Sequence, residues 1–140
     1  MKKILIINGP NLNQTGYREP NQYGVTTIDQ INKNIIEFSR QKNICVEIFQ
    51  SNCEGKIIDK IESTAKEIDG LIINPGAYTH YSFAIRDAIV ASRVSTIEVH
   101  LSNIYNREEF RQKSVIAPVC KGQITGFGEK SYLLAIYALI

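Results

Sequence analysis

Ile4-Leu-Ile-Ile7 runs directly into Asn8-Gly-Pro-Asn-Leu-Asn-Gln-Thr-Gly-Tyr-Arg-Glu-Pro-Asn-Gln-Tyr-Gly24, and this junction decides how the chain is read. Four consecutive apolar residues read as a buried strand. Thr26-Thr27 then reads as the start of a helix. A plain strand-to-helix connection needs only about 2–6 residues, and this one is far longer. Long loops in compact domains are lids, binding loops or disorder. The loop is neither charge-rich nor low in complexity, which argues against disorder. Arg18 and Tyr23 lie within it. Loops at the carboxyl ends of parallel strands form the crevice of an open α/β sheet.

Outward from that junction, five apolar runs recur: 3–8, 46–50, 71–74, 96–100 and 123–126. Helical patterns separate the first four. Thr27 and Gln30 have capping-box spacing. Ile28, Ile31, Ile35 and Phe38 then form one stripe, ended by Lys42-Asn43. Ile57, Ile58, Ile61, Ala65 and Ile68 form a second, stopped by Gly70. A third helix is expected from about Tyr81 to Ser92, with Ile85, Ala88, Ile89 and Ser92 inward. A last helix starts near Lys130. Strand–helix alternation of this kind predicts a parallel sheet with helices on both faces. Right-handed crossovers make a flavodoxin-like order, 2-1-3-4-5, the economical topology. Between Leu101 and Lys121 the alternation breaks. Ser102-Asn103 is expected to cap a short helix carrying Arg107 and Arg111 on one face.

Composition narrows the function. The 140 residues fit one domain, 1–140, and 44% apolar with 21% charged residues is ordinary for a globular chain. A net charge of +2 without a basic run gives no argument for nucleic acid. No stretch approaches the ~18 apolar residues of a membrane span, and the apolar run after Lys2-Lys3 is too short for a signal peptide. Three cysteines, Cys45, Cys53 and Cys120, form no CxxC pair. A disulfide framework or zinc site is therefore not expected, and a reducing cytoplasm fits.

The strand ends collect the polar chemistry. The first offers Asn8, then Asn11, Arg18 and Tyr23; the second Gln50-Ser-Asn52; the third Asn74 through His80. The fourth reads Glu98-Val-His100-Leu-Ser102, followed by Arg107 and Arg111. Both histidines of the chain thus fall on one rim. Each residue has a plainer reading: His80 as a helix cap, Glu98–His100 as a satisfied buried pair, the arginines as a solvated face, Tyr23 as a loop anchor. Their convergence is what points to a small-molecule site. No nucleophile elbow, Walker lysine or GxGxxG is present, and two histidines without a carboxylate cluster make a catalytic metal unexpected. The remaining set suits cofactor-free proton transfer on an anion. A tyrosine base moved from ~10 to ~8 needs about 2.7 kcal/mol of preference for phenolate. One arginine at ~4 Å supplies about 4 kcal/mol at an effective dielectric of ~20, before desolvation. A flavodoxin-like binding module or a purely structural oligomer are the competing readings. The first leaves Tyr23 beside Arg18 and Glu98 beside His100 unexplained, and the second leaves the whole rim so.

These motifs resemble the type II 3-dehydroquinate dehydratases over essentially the whole chain. The resemblance is carried by 7–13, 16–20 with Tyr23-Gly24, 50–52 with Glu54-Gly55, 73–80, 85–87, 98–103, 107–111 and Lys121-Gly122. It implies anti elimination of water from 3-dehydroquinate, giving 3-dehydroshikimate through an enolate, with no cofactor. By motif position it implies Tyr23 as base, Arg18 lowering its pKa, and Asn11 holding a water at the enolate. His100, oriented by Glu98, becomes the acid. Asn74, Leu101 and Ser102 would receive the carboxylate, His80 and Arg111 the ring hydroxyls, and Arg107 would belong to the lid. The resemblance further implies a homododecamer of four trimers, in which Asp87 reaches a neighbour's site. Three departures from the family pattern stand out: Cys53, Tyr105-Asn106 and Gln14-Thr15. On the third helix Phe83, Val90 and Val94 step round to the face opposite the core stripe, with Asp87 among them. That patch is expected at an interface, the alternative being cover by the chain's own last helix.

Overall fold

The computed structural model describes residues 1–17, 19, 21 and 25–140. Among them, five strands form one sheet: β1 (Lys2–Asn8), β2 (Ile44–Gln50), β3 (Gly70–Asn74), β4 (Thr96–His100) and β5 (Gly122–Thr125). The order is β2-β1-β3-β4-β5, as expected, with every pairing parallel. The helices are α1 (Ile28–Gln41), α2 (Glu54–Thr64), α3 (Phe83–Ser92) and α4 (Lys130–Leu139). Alternation along the strands sends Ile4, Ile6, Ile72, Ile97 and Val99 to one face, against Ile31 and Ile35 of α1 and Tyr132, Ala135 and Ile136 of α4. Leu5, Ile7, Leu71 and Ile73 face the other way, onto Ile57 and Ile61 of α2 and Ile85, Ala88 and Ile89 of α3. No described helix is long and apolar enough to cross a membrane.

Local signals set most boundaries. The Thr27 hydroxyl accepts from the Gln30 backbone N–H, and the Gln30 side chain accepts from the Thr27 backbone N–H, completing the capping box. Asn43, at φ 59°, turns the chain from α1 into β2. The second helix is shorter than its apolar stripe. It ends at Thr64, whose hydroxyl bonds back to the Lys60 carbonyl, and Ile68 packs on the core from beyond the helix. Gly70 does not stop that helix; it opens β3. A Cβ there would meet Leu139 Cδ1 at 2.9 Å, so the position serves the close approach of α4.

The segment expected as one short helix carrying both arginines is instead two separate 3-10 turns, Ile104–Asn106 and Glu109–Arg111. The Asn103 side chain caps only the first, accepting from Tyr105 N–H, and extended backbone at Arg107 (φ −130°, ψ −167°) breaks the run. A further turn, Ala117–Val119, leads into β5.

Phe83 and Val90 are 63% and 56% exposed, and Asp87 is exposed beside them. The last helix packs beside α1 on the other face of the sheet from α3, so it does not cover this patch. Val94 is a correction: it lies past the end of α3, after left-handed Arg93, and turns back onto the core.

Candidate active site

The turns after β1 and β3 interlock. Gly9 N–H donates to the Asn74 carbonyl at 2.7 Å. A Cβ on Gly9 would sit 2.5 Å from the Pro75 carbonyl oxygen, and Gly76, at φ +59°, lies against Pro10 in the same way. This contact explains why Gly and Pro recur in both turns, and it brings the two strand ends together as one floor.

The register pairs Asn8 with Asn74, and the β-strand alternation puts both side chains on the α4 face. There the buried Tyr132 hydroxyl accepts from Asn74 Nδ2 at 3.1 Å and donates to Asn8 Oδ1 at 2.6 Å. Asn74 Oδ1 also accepts from Gly76 N–H at 3.2 Å. The amide of Asn74 is thereby held in one orientation at the pocket wall. Burial pushes the Tyr132 phenol well above its ordinary range, so it acts as a neutral hydrogen-bonding group. Tyr132→Phe is expected to cost about 1–3 kcal/mol, the range for leaving buried polar groups unsatisfied. Urea unfolding of both forms measures it, and an unchanged midpoint would contradict the bridge.

One pocket is lined by Asn11, Asn74, His80, His100, Leu101, Ser102, Arg107 and Arg111, with Pro10, Leu12, Gly76, Ala77 and Ile104 completing it. Eight of the residues singled out from the sequence therefore meet in one place. Arg18 and Tyr23 lie outside the described residues. Asp87 is not in the wall; it sits on the outer face of α3.

Glu98 lies immediately behind His100. The two are on one strand face, and His100 Nε2 bonds to Glu98 Oε2 at 2.5 Å. Glu98 is fully buried, yet its carboxylate is surrounded by donors. Thr79 Oγ1 and Gln123 Nε2 reach Oε2 at 2.9 and 2.8 Å, and Ser114 Oγ reaches Oε1 at 2.7 Å. Burial pushes the carboxyl up, but the bonds from His100, Ser114 and Gln123 outweigh it and hold it below the ordinary carboxylate value. Its contribution to stability is present above the unfolded carboxylate's pKa and is lost as pH falls through the lower folded value. Wild type is accordingly expected to lose unfolding free energy toward acid more steeply than Glu98→Gln. Parallel profiles would remove Glu98 from the acid response.

His80 Nδ1 donates to the Lys113 carbonyl at 2.7 Å, which leaves Nε2 as the ring's acceptor. Burial, with smaller contributions from His100 and Arg111, lowers its pKa and keeps the ring neutral. Arg111 is paired with Glu108, and Arg107 reaches Ser102 Oγ at 3.4 Å and Glu19 at 3.6 Å. Asn11, in left-handed backbone (φ 67°), is tied through its N–H to Asn52 Oδ1 at 3.1 Å.

Tyr132, Thr79, Ser114 and Gln123 did not stand out in the sequence. A strand carrying a carboxylate inward signals that donors must exist somewhere. Nothing local says which residues provide them.

The chain is thus an α/β protein with a polar pocket across the carboxyl edge of its parallel sheet, backed by a buried Glu–His pair whose groups are able to bind an anion and transfer a proton. The profile of the family "Dehydroquinase class II" matches residues 2–140. A 3-dehydroquinate dehydratase of Caldicellulosiruptor bescii is 60% identical over 140 residues, covering 99% of this chain and 97% of that one. One from Nitratiruptor is 56% identical over 137 residues, covering 98% and 88%. The crystal structure of the type II dehydroquinase from Butyrivibrio crossotus superposes with a TM-score of 0.97 at 55% identity, covering 99% and 97%. A more divergent 3-dehydroquinate dehydratase-like protein of Bifidobacterium longum gives 0.71 at 28%, covering 99% and 95%. This chain belongs to the class II dehydroquinase family.

Proposed function

We propose that the chain is a 3-dehydroquinate dehydratase acting in the shikimate pathway, by anti elimination of water through an enolate. The observation that carries this reading is the buried Glu98–His100 pair opening onto a pocket that also holds Asn74, His80, Arg107 and Arg111. Tyr23, with its phenol pKa lowered by Arg18, removes the C2 proton, and the electron pair enters the carbonyl as an enolate. A water held by Asn11 stabilises that oxygen. The enolate collapses, the C1–oxygen bond breaks, and His100 protonates the departing hydroxyl to water. His100 Nε2 is occupied by Glu98, and Nδ1 has no partner among the described residues, so Nδ1 is the atom that delivers the proton. Asn74, Leu101 and Ser102 receive the substrate carboxylate. His80, through Nε2, and Arg111 hold the ring hydroxyls. Arg107 works with the lid carrying Arg18 and Tyr23.

The working unit in this reading is one domain, 1–140, in a cytoplasmic homododecamer of four trimers, with Asp87 completing a neighbour's site. The exposed Phe83, Asp87 and Val90 on α3 support that arrangement. Adding 3-dehydroquinate to the protein and following the conjugated enone absorbance tests the activity. Turnover is expected to survive thorough chelation, and borohydride with substrate is expected to leave the enzyme active, because no lysine is found among the described residues that line the pocket. Restoration by a divalent ion after chelation, or covalent trapping, would show the mechanism to be different.

A further inference from the structure

The donors around Glu98 extend outward in a direction the proposed chemistry does not use. Gln123 stands beside Glu98 in the β4–β5 register. Its Nε2 donates to Glu98 Oε2 at 2.8 Å, and its Oε1 accepts from the Tyr105 hydroxyl at 2.6 Å. Tyr105 is on the first turn after β4, 53% exposed, and is itself held by the Asn103 cap on its backbone N–H. A continuous run of hydrogen bonds therefore joins a surface tyrosine to the pocket histidine: Tyr105, Gln123, Glu98, His100.

An amide can present either its oxygen or its NH2 group to a neighbour. Oxygen against Glu98 would set two acceptors face to face. The carboxylate, which only accepts, therefore sets which way the amide faces, and the Tyr105 hydroxyl, donating to Oε1, holds the amide in place there. The consequence reaches His100, because Thr79, Gln123 and His100 share a single carboxylate oxygen. Each added donor draws charge from Oε2, so the carboxylate holds the His100 Nε2 proton less tightly.

We propose that Tyr105 and Gln123 are positioning residues that act on the Glu98–His100 pair, Tyr105 by fixing the Gln123 amide and Gln123 by sharing the Glu98 charge. Neither is among the described residues that line the pocket. The proposal rests on the dehydratase reading for its kinetic effect, though not for the arrangement itself. Losing the relay leaves Glu98 holding the His100 ring more strongly, which slows proton delivery and spares substrate binding.

The test is a double-mutant cycle with Tyr105→Phe and Gln123→Ala. Tyr105→Phe is expected to lower kcat about fivefold and Gln123→Ala about tenfold, each with KM within about twofold. The double variant is expected to match Gln123→Ala alone, because Tyr105 acts only through that amide. In the same proteins without substrate, the proton shared by His100 Nε2 and Glu98 is expected to move downfield in the NMR spectrum. A purely structural tyrosine would shift the melting temperature and leave both readouts in place. Additive losses, or an unmoved proton resonance in Tyr105→Phe, would overturn the relay. Wild type inactive on 3-dehydroquinate would instead remove the dehydratase reading, and the proton resonance alone would then decide the relay.

Discussion

His100→Gln is expected to lower kcat by about 10²–10⁴-fold, the range for a positioned acid, with KM little changed. The geometry makes the substitution clean. A glutamine amide can still donate to Glu98, so the buried carboxylate, already served by Thr79, Ser114 and Gln123, is not left unsatisfied. What it cannot supply is the second ring nitrogen that the proposed mechanism uses as its acid. Tyr23→Phe removes the proposed base at the other end of the reaction and is expected to produce a loss of the same order. The two losses are expected to combine less than multiplicatively, since either alone halts the sequence of proton transfers. Steady-state kinetics beside circular dichroism read the result. Near-normal turnover in either folded variant would dismiss that residue from its role.

Phe83→Asp is expected to dissociate the proposed assembly and abolish activity while leaving the subunit folded. The side chain is 63% exposed on α3 and contributes little to its own subunit's core, which α3 serves through Ile85, Ala88 and Ile89. A carboxylate there would be solvated in the free subunit and desolvated at an interface, so its cost falls on association. Asp87 lies one turn on and outside its own pocket, which is why dissociation is expected to leave each site short of one hydrogen-bonding group. Asp87→Ala is expected to weaken catalysis with a smaller effect on assembly. Sedimentation with parallel assays separates the two variants. A fully active Phe83→Asp monomer would end the shared-site reading.

The sequence alone determined the architecture and which residues gather around the pocket at the sheet's carboxyl edge. Periods of two and 3.6 residues are written into Ile4–Ile7 and Ile28–Phe38, and the Thr27–Gln30 box spans only three residues, so local reading suffices. The residues at the strand ends were legible for the same reason: a parallel sheet carries every strand's carboxyl end to one edge. Glu98 and His100 share a face by spacing alone.

Only the tertiary structure decided what surrounds that pair. Ser114, Gln123 and Thr79 meet Glu98 from three separate segments, and Tyr132 bridges to Asn8 across nearly the whole chain. A buried polar atom demands a partner, but the demand is met in space and leaves no period in the sequence. The same limit explains Gly70, which reads locally as a helix stop and in the fold makes room for Leu139. It also explains Arg107 and Arg111, which reach one pocket from the extended link between two turns and from the second of those turns.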